Sequence, residues 1–161
     1  MKIILDRKTL KRKLEILKKQ GEKIAFTNGC FDILHVGHVR YLKKAKKTAD
    51  ILVLALNSDS SVRKIKGNKR PLVSQQERAE IMAAFEFIDF VTIFNETTPL
   101  NLITLLKPDV LIKGGDWPED KIVGREEIKK WGGKLTIIPE IKGKSTTNII
   151  AKIRQVYYSK G

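Results

Sequence analysis

The sequence has almost no cysteine and no long apolar run. Its single cysteine, Cys30, can form neither an internal disulfide nor a cysteine cluster for zinc. No segment approaches the roughly 20 consecutive apolar residues that a membrane-spanning helix requires. The N-terminus lacks the basic, apolar and small-residue order of a signal peptide. From these absences we expect a cytoplasmic protein without a membrane segment or a disulfide framework.

Acidic residues are scarce relative to basic ones. The 161 residues include 32 Lys and Arg against 18 Asp and Glu, which gives a net charge of +14. Such an excess favours an anionic partner, either a nucleic acid or a polyphosphate substrate. Lys-rich surfaces also occur in proteins from hot environments, and part of the charge can be a solvated helix face. Because the basic residues are scattered and no zinc-finger, RNA-recognition or coiled-coil signal accompanies them, we expect no nucleic-acid partner.

Apolar runs alternate with amphipathic segments along the whole chain, and no repeat or linker divides it. This alternation predicts an α/β fold with a Rossmann-like, doubly wound, five-stranded parallel sheet. We expect a single domain over 1–161, with an N-terminal helix in 1–22 and a catalytic core over 23–153. The polar, basic segment 57–73 is predicted to be a loop. Helices are predicted at 7–20, 37–49, 74–85, 99–106, within 118–131 and at 145–158, and strands at 24–27, 51–56, 90–94, 110–112 and 135–138.

The segment 27–38, with the sequence TNGCFDILHVGH, joins the first core strand to the next helix. It holds both histidines of the chain, His35 and His38. The free N–H groups and the dipole of a helix N-terminus favour bound phosphate, and Gly29 and Gly37 let phosphate approach the backbone without a Cβ in the way. Two imidazoles there can stabilise the charge that builds on a phosphate during in-line attack.

Other interpretations of this segment are weaker. A metal site would need more ligands than two histidines, and neither a third histidine nor a cysteine cluster exists. Asp32 can be a helix or turn cap, and the glycines can be ordinary turn residues. Cys30 fits a small buried filler better than a nucleophile.

Two motifs point to a known family. Residues 29–32 and 35–38 resemble the signature of the cytidylyltransferase-like nucleotidyltransferase superfamily, and Ser145-Thr146-Thr147 is similar to its second signature. Within the superfamily, Lys69-Arg70-Pro71 and the segments 113–117 and 143–150 are similar to the pattern of heptose-phosphate adenylyltransferases. The resemblance implies transfer of AMP from ATP to D-glycero-D-manno-heptose 1-phosphate, with Mg²⁺ carried on the ATP. It also implies a homodimer.

A cytidylyltransferase acting on glycerol 3-phosphate or ethanolamine phosphate would share both signatures. Cytidylyltransferases of the superfamily often carry an arginine shortly before the second signature. This chain has Pro-Glu-Ile-Lys-Gly-Lys over 139–144 instead. The departure favours ATP over CTP and leaves Lys142 and Lys144 as phosphate contacts.

The remaining candidates come from the predicted edge of the sheet or from the resemblance. The predicted basic loop 57–73, which contains Lys64, Lys66 and Arg70, can close over a triphosphate, or it can be a solvated flexible loop. Trp117 either stacks on a base or packs in the core, and Ser145 also fits an ordinary helix cap. We predict His35 and His38 as catalytic residues, no metal ligands, nucleotide or phosphate contacts at Thr27, Asn28, Gly29, Cys30, Phe31, Gly37, Lys64, Lys66, Arg78, Lys113, Gly114, Asp116, Ser145, Thr146 and Thr147, and substrate contacts at Asp32, Asp59, Arg70 and Lys144.

Overall fold

A computed structural model describes residues 3–115, 118–139, 141 and 143–158, with only the backbone of Ile3. The described strands form a parallel sheet in the order β1-β4-β3-β2-β5-β6. They are β1 (Ile3–Ile4), β2 (Ile24–Gly29), β3 (Ile51–Asn57), β4 (Phe90–Phe94), β5 (Val110–Gly114) and β6 (Lys134–Ile138). The helices are α1 (Arg7–Lys19), α2 (Val36–Lys46), α3 (Asp59–Lys66), α4 (Gln75–Ala83), α5 (Leu100–Leu106), α6 (Arg125–Lys130) and α7 (Thr146–Tyr158), with a short 3-10 helix at Glu119–Lys121.

Helices cover both faces of the sheet. Leu10 of α1 belongs to a buried cluster on one face that also contains side chains of α5 and α6. Leu42 of α2 and Met82 of α4 lie in the cluster on the opposite face. The central strand β3 is buried along nearly its whole length, as its continuous apolar sequence predicts for a strand covered on both sides. The predicted doubly wound α/β fold is therefore confirmed.

Two elements differ from the sequence-based prediction. All five predicted strands form, but β1 adds a sixth strand at the edge of the sheet, where it pairs with β4. The predicted loop 57–73 is wrong over its first half, because Asp59–Lys66 forms helix α3. Ser58 caps that helix by accepting a hydrogen bond from the Ser61 N–H at 3.2 Å. The helix is only eight residues long and has two apolar residues, buried Val62 and exposed Ile65, so its polar, basic composition looks like that of a loop.

The strand order reverses between β2 and β5. From β2 the chain moves outward to β3 and β4, and it then returns to place β5 on the other side of β2. Ligands of open α/β sheets bind outside the carboxyl ends of the strands at such a reversal. Because β2 ends at Gly29 and β5 at Gly114, this point lies beside the histidine motif.

Replacing a buried leucine of α1 tests how much this helix contributes to the core. Leu10 is fully buried, whereas Ile16 on the same helix is 58% exposed. We expect Leu10→Ala to lower the free energy of unfolding by about 2–5 kcal/mol, because it leaves a cavity. Ile16→Ala, the matched control, should change it by less than about 0.5 kcal/mol. Urea unfolding of both variants measures the difference, and equal losses would contradict the packing of α1 on the sheet.

Candidate active site

A cleft opens at the carboxyl edge of the sheet, where the strand order reverses. Its volume of about 730 Å³ lies in the range of small-molecule sites. Segments far apart in sequence form it: the end of β2, the first turns of α2, the end of β5, and the connection from β6 to α7. The predicted residues that line it are Asn28, Gly29, Cys30, Phe31, His35, Gly37, His38, Gly114, Lys144, Ser145 and Thr146.

The two imidazole rings stack on each other at the start of α2. The ring centroids of His35 and His38 are 3.8 Å apart, and the ring planes differ by 24°. His35 stands at the N-cap position of α2, and the Phe31 ring lies 5.0 Å from the His38 ring. Both imidazoles therefore share one cleft wall with the free N–H groups of a helix N-terminus, which is an arrangement suited to an anion.

Gly37 makes this stacking possible. A Cβ at position 37 would lie 2.7 Å from Nδ1 of His35, well inside contact distance. The glycine between the histidines is thus a steric requirement of the imidazole pair. Gly29 has a related role, because a Cβ there would lie 2.6 Å from the Phe31 ring.

His38 stays neutral far below neutral pH. Burial disfavours its charged form, and the neighbouring His35 adds to the effect, so the pKa of His38 is lowered to about 4. Its buried Nδ1 meets no hydrogen-bond partner among the residues that the structure describes. A neutral ring still carries one N–H donor. His38 can therefore donate a hydrogen bond to a phosphate oxygen without bringing a formal charge.

The segment with Ser145 and Thr146 contacts the loop that carries the histidine motif. The Thr146 hydroxyl donates to the carbonyl of Ile33 at 3.0 Å, which fixes the start of α7 against the loop before His35. The Ser145 hydroxyl accepts from the N–H of Asn148 at 3.1 Å, as a helix cap does. Motifs more than 100 residues apart thus form one cleft wall.

Comparisons with known proteins identify the family. A family model described as cytidylyltransferase-like matches residues 26–155. The chain belongs to this family. The matched range contains both motifs, so the nucleotidyltransferase-type domain predicted from them is confirmed.

Curated relatives are similar over nearly the whole chain. The bifunctional protein HldE of Geobacter sulfurreducens is 56% identical over 140 residues, which cover 87% of this chain and 29% of that protein. The bifunctional protein HldE of Pelobacter propionicus is 53% identical over 154 residues, or 96% of this chain and 32% of the relative. The chain thus spans less than a third of the length of these relatives.

Two solved structures share the architecture. The lipopolysaccharide core biosynthesis protein from Thermoplasma volcanium GSS1 superposes with a TM-score of 0.61 at 29% identity, covering 77% of this chain and all of that one. Pantoate-beta-alanine ligase from Francisella tularensis, in complex with beta-gamma ATP and beta-alanine, has a TM-score of 0.64 at 17% identity. The overlap covers 94% of this chain and 77% of the ligase chain. At that identity the second likeness concerns the fold alone.

Lys113 and Thr27 lie at the same reversal of strand order. The Lys113 ammonium, at the end of β5, donates to Oδ1 of Asn28 on β2. Burial lowers the pKa of Lys113 to about 8, and no carboxylate of the described residues forms an ion pair with it. An anion in the cleft would therefore stabilise the charged form of Lys113. Thr27, on the neighbouring strand β2, is buried and shares a 2.6 Å hydrogen bond with the hydroxyl of Tyr41.

Several predicted site residues are not part of the cleft lining. Arg78 is buried and bonds to protein acceptors, among them Asp59 at 2.8 Å. Asp32 is paired with Arg70. Lys64 and Lys66, predicted in a loop, belong to the last turns of α3. Thr147 lies in the first turn of α7, next to the cleft residue Thr146. Asp116, Trp117 and Lys142 lie outside the described residues, and every assignment to a ligand remains a prediction.

Sequence reasoning missed part of the cleft wall on α2. Arg40, Tyr41, Lys43 and Lys44 line the cleft with Ile138, Pro139 and Ile141. The sequence spacing could have identified these residues, because Gly37, Arg40 and Lys44 are three and four residues apart and therefore lie on one face of the helix. Tyr41 packs close to the end of β5, since a Cβ on Gly114 would lie 3.1 Å from its ring. Burial raises the pKa of Tyr41 to about 12, so its hydroxyl stays protonated.

Two kinds of feature are lacking among the residues that the structure describes. No group of three or more His, Cys, Asp or Glu side chains in this part of the chain is placed to hold a metal ion. None of its helices is both long enough and apolar enough to pass through a bilayer.

The lowered pKa of His38 has a measurable consequence for stability. In the unfolded chain the ring takes up its proton near pH 6.5, but in the folded protein it does so only near pH 4. The unfolded state binds more protons between these values, so this contribution to stability is present above pH 6.5 and lost as the pH falls toward 4. Ring-proton NMR should give a midpoint near 4 for His38. Denaturant unfolding should lose less stability between pH 7 and 5 in His38→Gln than in the wild type, and an NMR midpoint at or above 6.5 would contradict the burial of the ring.

Proposed function

We propose that this domain is an adenylyltransferase that moves AMP from ATP to D-glycero-D-manno-heptose 1-phosphate, giving ADP-heptose and pyrophosphate. The observation that carries the proposal is the stacked imidazole pair at the N-terminus of α2, which faces a cleft of nucleotide size. The family membership supports nucleotidyl transfer. The product would enter lipopolysaccharide or another heptose-containing glycan.

The relatives support the choice of substrate. The segments 113–117 and 143–150 resemble heptose-phosphate adenylyltransferases, and both curated relatives reported above carry the name bifunctional protein HldE. The Thermoplasma relative is described as a lipopolysaccharide core biosynthesis protein. ATP is favoured over CTP because the arginine common before the second signature in cytidylyltransferases is missing here.

The reaction needs no covalent intermediate on the protein. A phosphate oxygen of the sugar phosphate attacks the α-phosphorus of ATP, and the bond from that phosphorus to the oxygen bridging to the β-phosphorus breaks. Pyrophosphate leaves with the bonding electrons. The work left to the protein is to align the two phosphates and stabilise the charge that develops between them.

The cleft residues would divide this work. The rings of His35 and His38 and the first N–H groups of α2 would donate to the α-phosphate as its charge increases. Lys113 would take a phosphate oxygen as its second partner beside Asn28, and Lys144, whose backbone carbonyl lies close to Gly37, would contact the phosphates near the start of α2. Lys64, Lys66 and Arg70 would supply further positive charge from α3 and the segment after it, which would lower the electrostatic cost of bringing the triphosphate and the sugar phosphate together.

A divalent cation fits this cleft as a companion of the nucleotide. Because the described residues form no cluster of metal ligands, triphosphate oxygens and water would supply most of the coordination of Mg²⁺. When bound there, Mg²⁺ would neutralise charge on the leaving pyrophosphate. We further propose, from the family resemblance, that the domain works in the cytoplasm as a homodimer.

A panel of substrates tests the reaction. ATP and CTP would each be incubated with Mg²⁺ and heptose 1-phosphate, glycerol 3-phosphate or ethanolamine phosphate. We expect pyrophosphate release to be fastest with ATP and the heptose phosphate. Silence with that pair, together with turnover of CTP and an alcohol phosphate, would reassign both substrates to the cytidylyltransferase alternative.

Removing either imidazole tests the catalytic pair. We expect His35→Ala and His38→Ala each to slow turnover by about 10²–10³-fold, the usual effect of deleting one aimed transition-state donor. Lys11→Ala serves as the control, because Lys11 lies on α1, outside the cleft lining, and pairs with the exposed Glu15. Thermal unfolding would verify that all three variants are folded. Wild-type turnover in both histidine variants would refute the assigned role.

A further inference from the structure

Arg78 is the most completely engaged buried charge among the described residues. Its side chain is 0% exposed. Its Nε donates to the carbonyl of Val73 at 3.1 Å and its Nη1 to the carbonyl of Cys30. Nη2 donates to the carbonyl of Asn57 at 2.9 Å and to Oδ1 of Asp59 at 2.8 Å. The guanidinium therefore joins the loop after β2, the end of β3 and the segment before α4.

The contact with Cys30 fixes a peptide plane. In a trans peptide the carbonyl oxygen and the following N–H point in opposite directions. With the Cys30 carbonyl held by Arg78, the N–H of Phe31 points away from Arg78. Cys30 and Phe31 line the cleft, and Arg78 does not. None of the hydrogen bonds within the described residues uses this N–H, so it is open to a ligand acceptor.

Asp32 anchors the other side of Phe31. Its buried carboxylate accepts from the N–H of Leu72 at 2.9 Å, from the N–H of Val73 at 2.8 Å and from Nε of Arg70. Burial alone would raise the pKa of Asp32, but these three donors hold it below its usual value. The carboxylate is therefore ionised at neutral pH.

Val73 closes a ring of contacts around Phe31. Its N–H donates to Asp32 and its carbonyl accepts from Arg78, so the residues before and after Phe31 are tied to the same short segment. Phe31 itself has a left-handed φ of +45°, which is uncommon for a bulky residue and persists only where the surroundings fix it. Strained backbone of this kind is typical of ligand-binding loops.

We infer that Arg78 is a positioning residue that aims the Phe31 N–H at a phosphate oxygen of the nucleotide. It acts through the Cys30 carbonyl, and Asp32 supports it through Val73. This role differs from the direct phosphate contact that the family resemblance implied for Arg78, because every nitrogen of the guanidinium already has a protein acceptor. The inference rests on the proposed function only in requiring a phosphate ligand in the cleft.

The Arg78→Lys variant tests the inference, because a lysine ammonium cannot reach the same four acceptors from one planar group. We expect kcat to fall by about 10–100-fold, a smaller loss than deleting a transition-state donor outright, while the KM for ATP changes by less than about threefold. Arg7→Lys is the matched control, since Arg7 makes a two-pronged pair with Glu96 away from the cleft lining. It should leave kcat unchanged.

Amide NMR supplies a readout that a purely structural role would not move. Inorganic pyrophosphate should shift the Phe31 amide resonance in the wild type and in Arg7→Lys. In Arg78→Lys that shift should fall by at least half, while the amide of Gly37 in the first turn of α2 still responds. Asp32→Asn should reduce the pyrophosphate-induced shift of the Phe31 amide by less than Arg78→Lys does. If Arg78→Lys does not fold, Asp32→Asn tests the inference in its place.

Two results would overturn the inference: no response of the Phe31 amide to pyrophosphate in the wild type, or an undiminished response in the Arg78→Lys or Asp32→Asn variant. The proposed function fails separately. If the wild type releases no pyrophosphate from ATP and heptose 1-phosphate but the amide shifts follow the expected pattern, the positioning role stands and only the substrates are reassigned.

Discussion

The parallel pairing of β2 with β3 on one side and β5 on the other is the constraint on which the rest of the molecule depends. It places the reversal of strand order at β2, so the loop that leaves this strand opens into a crevice rather than against a neighbouring connection. The same pairing brings Lys113 of β5 against Asn28 of β2. A half-buried ammonium thus contacts the cleft residue Asn28 because of sheet topology, not because of any local sequence pattern.

The sequence predicted most of the fold because most of its signals are local. Continuous apolar runs such as 51–56 identify buried parallel strands, and the Ser74–Glu77 capping box marks the start of α4 in the structure as well. The two elements that were not predicted, β1 and α3, also have physical explanations. β1 is two residues long and pairs only with β4 among the described strands, and α3 is short, polar and basic, so its composition resembles that of a loop.

The candidate site was predictable where one short segment carries it. The segment 27–38 brings two imidazoles, two glycines and a helix N-terminus to one cleft wall. Contacts between distant segments could not be read in this way. Nothing near Tyr41 indicates that its hydroxyl meets Thr27, and nothing near Asp32 indicates that its carboxylate binds the backbone at Leu72 and Val73. These partners are set by the packing of α2 and α4 on the sheet.

The polar network around Arg78 costs free energy, because a charged side chain is removed from water. Arg78 is buried and Asp59 partly so, and ion pairs withdrawn from water often stabilise a protein no better than apolar side chains of similar volume would. An apolar side chain, however, cannot hold the carbonyls of Cys30, Asn57 and Val73 in fixed directions, and those carbonyls belong to three different segments. The network therefore makes sense as a device for orientation. It fixes a loop whose Phe31 backbone is strained, which apolar packing, lacking directionality, would not do.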